Sequence, residues 1–118
     1  KKTKETPVQT AEGKLELGKK LFQANCAACH LADGKGVEGV FPPLVGSDYI
    51  ANDIHKAIEP VVNGLSGPLT VNGKSYNSVM PRQALTDAEA AAVITYVYKV
   101  LNNSDLEVTS EDVKKVRK

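Results

Sequence analysis

Five consecutive residues constrain this chain more than anything else in it: Cys26-Ala27-Ala28-Cys29-His30. Both of its two cysteines lie in that string. C-x-x-C-H is the pattern through which haem is attached covalently. Each thiol forms a thioether with one vinyl group, and the three-residue spacing brings the two thiols to adjacent points of one helical turn. The next residue then lies below the iron, so His30 can coordinate it through one unprotonated imidazole nitrogen. The other nitrogen must donate to an acceptor that fixes the ring, and a backbone carbonyl of the stiff Pro42-Pro43 segment is available for this. Two other chemistries use the same spacing. Half of a zinc site would need His30 and the distant His55 to complete it, and their positions do not give zinc-finger spacing. A redox dithiol expects a βαβ context, whereas this chain reads as almost wholly helical.

The remaining elements follow from periodicity and punctuation. Residues 1–12 read as a flexible leader or linker, polar and charged with Pro7. From about Gly13 a helical pattern places Leu15, Gly18, Leu21 and Phe22 on one face and runs into Cys26. Gly34, Gly36 and Gly39 predict a loop, and Phe41-Pro42-Pro43-Leu44 a rigid extended stretch. A second helix begins near Asn52, carries Ile54, Ala57, Ile58, Val61 and Val62, is interrupted or kinked at Pro60, and ends at Asn63-Gly64. Asn72-Gly73 between two short runs predicts a β-hairpin, because both turn residues must tolerate positive φ. Thr86-Asp87-Ala88-Glu89 is a capping box. It opens a last long helix with Val93, Tyr96, Val97, Val100 and Leu101 on one stripe, stopped by Asn102-Asn103. Residues 104–118 form a polar tail that can hold one short helix with Val113 and Val116 on a face. Residues 13–103 thus make one all-α domain of three to four helices with a short hairpin.

Function turns on what meets the iron opposite His30. Five-coordinate iron binds small ligands or reacts with peroxide, whereas six-coordinate iron mainly exchanges electrons. The chain offers Met80, its only methionine, in a loop stiffened by Pro81, and it offers His55. A lone methionine is ordinarily a core filler. Here it sits in a loop just before the last helix, from which a thioether can reach the iron and favour the ferrous state. His55 lies beside Lys56 and Glu59 and reads as an exposed structural residue. Two function classes stay open: an electron carrier with His30 and Met80 on the iron, and a ligand-binding or peroxidatic haem protein with Met80 off it.

Taken in order, these parts resemble a class I cytochrome c of the small bacterial monohaem type, over about Gly13 to Asn103. Gly18 and Phe22 resemble the family's glycine–aromatic pair on the N-terminal helix, with Val93 and Tyr96 at the partner positions of the C-terminal helix. Pro42, Pro43-Leu44 and Gly46 resemble the proline-x-leucine-x-glycine stretch whose proline carbonyl accepts from the ligand histidine. Met80-Pro81 resembles the distal methionine loop. The run Gly64 to Pro81 is similar to cytochrome c domains that serve periplasmic oxidoreductases, copper nitrite reductases and quinoprotein dehydrogenases among them. The resemblance implies one covalent haem c, held by Cys26, Cys29 and His30, with His30 and Met80 as iron ligands. No tryptophan is present to donate to a haem propionate. Tyr49, Tyr76 and Arg82 are the candidates, Tyr76 first, because the hairpin delivers it next to the methionine loop.

Charge and composition set the remaining expectations. Fifteen basic and 14 acidic residues leave a formal charge of +1, too balanced for a nucleic-acid surface. Any electrostatic steering must then come from charge placement, and Lys19, Lys20, Lys35, Lys74 and Arg82 are available to frame a haem edge. No apolar run reaches membrane-span length. The expected role is non-enzymatic: electron transfer to or from a periplasmic oxidoreductase, a cupredoxin or another cytochrome, by a monomer or tethered domain. The periplasm is expected because haem is joined to cysteine pairs outside the bacterial cytoplasm.

Overall fold

The computed structural model of the chain describes residues 11–77 and 79–118; the expected leader falls almost entirely outside them. Helix α1 spans Ala11–Asn25 and starts two residues ahead of the expected Gly13. Its buried residues are Gly18 and Phe22, with Leu15 and Leu21 half-buried beside them. Helix α2 is the single turn Ala27–His30, with Cys26 at its N-cap. Helix α3 spans Ile54–Asn63 and is capped by the Asp53 carboxylate, which accepts from the His55 and Lys56 amides. It runs through Pro60 rather than stopping there, and Gly64 takes the Pro60 carbonyl at its end.

Strands β1 (Leu69–Val71) and β2 (Lys74–Tyr76) form the antiparallel hairpin, with Leu69 opposite Tyr76. Its turn residues Asn72 and Gly73 have φ of 53° and 81°, the left-handed pair that a two-residue hairpin turn requires. Helix α4 spans Asp87–Tyr96 and has both bonds of the capping box. The Glu89 amide donates to Thr86 Oγ1 at 3.1 Å, and the Thr86 amide to Glu89 Oε1 at 2.9 Å.

The expected single stripe on the last helix does not continue to its end. Val97–Leu101 is a π turn. Its wider winding leaves Val100 51% exposed and places Tyr98 inside, where its hydroxyl donates to the Ile50 carbonyl at 2.7 Å. The tail is more than a polar appendage. Helix α5 (Ser110–Val116) has its own capping box from Thr109 and Asp112, and it packs on α3 and α4. Val108 and Val113 are fully buried, and Arg117 donates to the Leu85 carbonyl and to Asp87. Among the described residues there are therefore five α-helices: α1 to α4 in the main domain, within the three to four expected there, and α5 in the tail.

The core is organised by the contact of α1 with α4. Gly18 makes it possible: a Cβ there would lie 2.3 Å from the Ala92 carbonyl oxygen and 2.7 Å from Tyr96 Cβ. One turn later the Phe22 and Tyr96 rings meet with centroids 5.6 Å apart, tilted at 46°, a favourable aromatic geometry. Cys26 follows Phe22 by one more turn, so the helix pair fixes where the cysteine string sits.

Candidate functional site

Cys26 and His30 both line an apolar cavity that is open to solvent on one side. Pro42 to Leu44 contribute one part of the wall. Ala57 and Val61 of α3, Leu69 and Val71 of β1, and Val93 and Ile94 of α4 contribute others. Met80 lines the same space. Strands and helices that share no neighbouring sequence thus turn their apolar faces toward one cavity; of the residues that the sequence singles out, Cys26, His30, Pro42 and Met80 line it, and Cys29 and Tyr76 do not.

Cys26 is buried and Cys29 exposed, and they form no disulfide. Burial, and then the neighbouring Cys29, push the Cys26 thiol up to about 11. Left as a thiol it stays protonated and unreactive toward solvent at neutral pH. His30 is 7% exposed. Its Nδ1 lies 2.8 Å from the Pro42 carbonyl oxygen. A carbonyl only accepts, so Nδ1 carries the proton and Nε2 is the unprotonated nitrogen. Burial holds this imidazole below its usual range, partly opposed by the bond to Pro42. Neutral imidazole with one nitrogen fixed by a carbonyl is the form that ligates metal.

The loop between His30 and Pro42 is folded to bring them together. The Gly36 amide donates to the His30 carbonyl at 2.9 Å. Gly36 has φ of 69°, and a Cβ there would lie 2.4 Å from the Phe41 carbonyl oxygen and 2.7 Å from that of Pro42. Only glycine fits this crossing.

Met80 is held more firmly than a free loop residue. Its amide donates to the Leu65 carbonyl at 2.8 Å and its carbonyl accepts from the Leu65 amide at 2.9 Å, an isolated antiparallel bridge. The Gln83 amide donates to the Val61 carbonyl at 2.8 Å, so the methionine segment is laced to the end of α3. Sequence periodicity gave no sign of this bridge, because it joins single residues rather than strands.

Other candidates are placed less centrally. Tyr76 is buried opposite Leu69, yet Leu69 and Val71 reach the cavity wall and Tyr76 does not. Tyr49 does line it, with Lys56 Nζ 5.0 Å from the centre of its ring. Arg82 is exposed. His55 is also exposed and bonds Glu59 through Nε2 at 3.0 Å, away from the cavity lining. Of the lysines that were candidates to frame an edge, Lys74 is paired with Glu38, while Lys19, Lys20 and Lys35 are exposed. Among the described residues no group of three or more His, Cys, Asp or Glu side chains is gathered to hold a bare metal ion. No helix among them is long and apolar enough to cross a membrane.

The donor set therefore fits a flat apolar macrocycle with a metal: two cysteines at thioether spacing, a neutral oriented imidazole, a thioether and an apolar enclosure. Comparison with known proteins agrees. The family model for cytochrome c matches residues 15–100. Cytochrome c-552 of Thermus thermophilus is 36% identical over 112 residues, covering 85% of this chain and 83% of that protein. Cytochrome c6 of Bryopsis maxima is 33% identical over 93 residues, covering 76% and 96%. The cytochrome c subunit of alcohol dehydrogenase (quinone) from Gluconobacter oxydans is 33% identical over 109 residues, covering 89% of this chain and 23% of that subunit. The chain belongs to the cytochrome c family, with covalent haem c as its cofactor and haem-based electron transfer as its chemistry.

Proposed function

We propose that this chain carries electrons through one haem c attached to Cys26 and Cys29, with His30 and Met80 as the two iron ligands, and that it makes no bond to a substrate. The observation that carries this reading is that His30 and Met80 both line one cavity, the imidazole locked by Pro42 and the methionine backbone locked by Leu65. When bound, the haem supplies an iron that passes between ferric and ferrous states. The residues hold their positions through that change. Pro42 fixes the ring of His30, the Leu65 bridge keeps the thioether loop closed, and the apolar wall excludes water, which limits reorganisation.

The proposed compartment is the periplasm, and the proposed partner is a periplasmic oxidoreductase, with a cupredoxin or another cytochrome as the other side of the exchange. Relatives named as cytochrome subunits of alcohol and fructose dehydrogenases support an enzyme partner. Docking is weak and fast, as redox encounters with small interfaces are.

The visible spectrum of the matured ferric protein tests the ligation. Low-spin iron with a weak band near the red end is expected, and Met80→Ala should abolish that band and open the iron to cyanide and carbon monoxide. A high-spin wild-type spectrum that shifts readily with those ligands, or a band that survives Met80→Ala, contradicts the reading.

A further inference from the structure

The segment that fixes His30 has no backbone donor at its centre and is held from its two ends. Pro42 and Pro43 have no N–H, so the backbone between Phe41 and Leu44 donates no hydrogen bond of its own. Upstream, Phe41 and Val37 exchange both backbone bonds, the Phe41 amide donating to the Val37 carbonyl and the Val37 amide to the Phe41 carbonyl, each at 2.8 Å. Downstream, the Leu44 and Val45 amides donate to the Gly34 carbonyl at 2.7 and 3.1 Å. A further downstream hold comes from Asn102, at the end of the π turn that follows α4. Asn102 Oδ1 accepts from the Gly46 amide at 2.7 Å. Its Nδ2 donates to the Leu44 carbonyl at 2.9 Å and to the Val97 carbonyl at 2.9 Å. A side-chain amide can do this because it carries an acceptor and two donors in one plane.

The π turn is what presents it. The Asn102 backbone amide closes that turn on the Val97 carbonyl at 3.1 Å, and the side chain bonds the same carbonyl. Val97 is on the cavity wall. Single π turns inside helices are often found at functional sites. Here the turn ends the helix with an amide aimed at the proline segment, so residues far apart in sequence share one small network.

We propose that Asn102 is a positioning residue for the iron-ligating imidazole: by bridging Leu44 and Gly46 to the end of the C-terminal helix, it holds the Pro42 carbonyl against His30 Nδ1. The inference rests on the ligation reading above. A well-held carbonyl raises the basicity of the histidine ligand and so favours ferric iron. Releasing the segment weakens that bond and favours the ferrous state.

The test uses the matured, haem-loaded protein and Asn102→Ala. Two quantities are read: the reduction potential, and the solvent-exchange rate of the His30 Nδ1 proton by NMR in the ferrous state. The potential should rise and the proton should exchange about tenfold faster, the scale of one ordinary hydrogen bond. Asn102→Ser, whose single hydroxyl cannot bridge both Leu44 and Gly46, should shift both in the same direction by less. It decides the matter on the same two readouts if the alanine variant does not mature. An unchanged potential and an unchanged exchange rate, with only a lower melting temperature, would show Asn102 to be a helix-end stabiliser and overturn the proposal. If the wild-type protein itself lacks ring-current-shifted His30 resonances, the ligation reading fails first and this inference fails with it.

Discussion

Single residues differ in how openly the sequence declares them. Cys26, Cys29 and His30 form a contiguous string whose chemistry can be read without a fold. Tyr98 and Asn102 cannot be read that way. In a regular helix Tyr98 falls off the apolar stripe, and Asn102 looks like a helix stop. The π turn, which no proline or glycine in Val97–Leu101 announces, gives both their partners. Tyr98 allows a direct test. Its hydroxyl donates to the Ile50 carbonyl at 2.7 Å, so Tyr98→Phe should cost about 1–3 kcal/mol, the range for leaving a buried acceptor unpaired, read from denaturant midpoints. Burial, and then the Asp53 carboxylate, push the phenol from 10.0 up to about 12. The unfolded chain therefore loses this proton first as pH rises. Stability from this group is full below pH 10 and is lost on the way to about pH 12. Tyr98→Phe should flatten that part of the stability–pH curve, and an unaltered alkaline decline would count against the assignment.

At the scale of elements, local signals served well where one short motif decides the backbone. The capping box at Thr86 and the Asn72-Gly73 turn form as their residues require. Signals were weaker where tertiary contact decides. Pro60 is carried within α3 without ending it, and the short tail helix is held to the body through buried Val108 and Val113, which the polar composition of the tail does not announce. The approach of α1 to α4 depends on Gly18 alone at its tightest point. The added methyl of Gly18→Ala would meet the Ala92 carbonyl at 2.3 Å, and backbone cannot swing aside as a flexible side chain can. The helices must part, which should cost about 1–3 kcal/mol, the usual price of overpacking. Thermal unfolding of the haem-loaded variant checks this, and a melting temperature equal to that of the parent protein would mean that the crossing is looser than its geometry implies.

For the whole molecule, the apolar cleft lined by Cys26, His30, Met80, Val93 and Ile94 leaves core side chains without packing partners on one side. With two Phe, one Met and no Trp, the polypeptide has few large side chains to collapse into that space. The chain produced without haem attachment should therefore show no cooperative thermal transition by calorimetry, and a sharp transition would show that the protein core suffices alone. The proposed ligands could be picked out from sequence because they sit in motifs. The enclosure could not be, because its walls come from α3, β1, α4 and the Leu65–Met80 bridge, which only the fold brings together. The claim on which everything else depends is that Met80 reaches the iron on a haem whose other axial ligand is His30. Proton NMR of the reduced protein tests it in one spectrum, since a methyl group lying over the face of the macrocycle is strongly shielded by its ring current. A three-proton singlet far upfield of all other methyls, absent in Met80→Ala, is the predicted result. A spectrum without that singlet, or one in which it persists when Met80 is gone, would contradict the account.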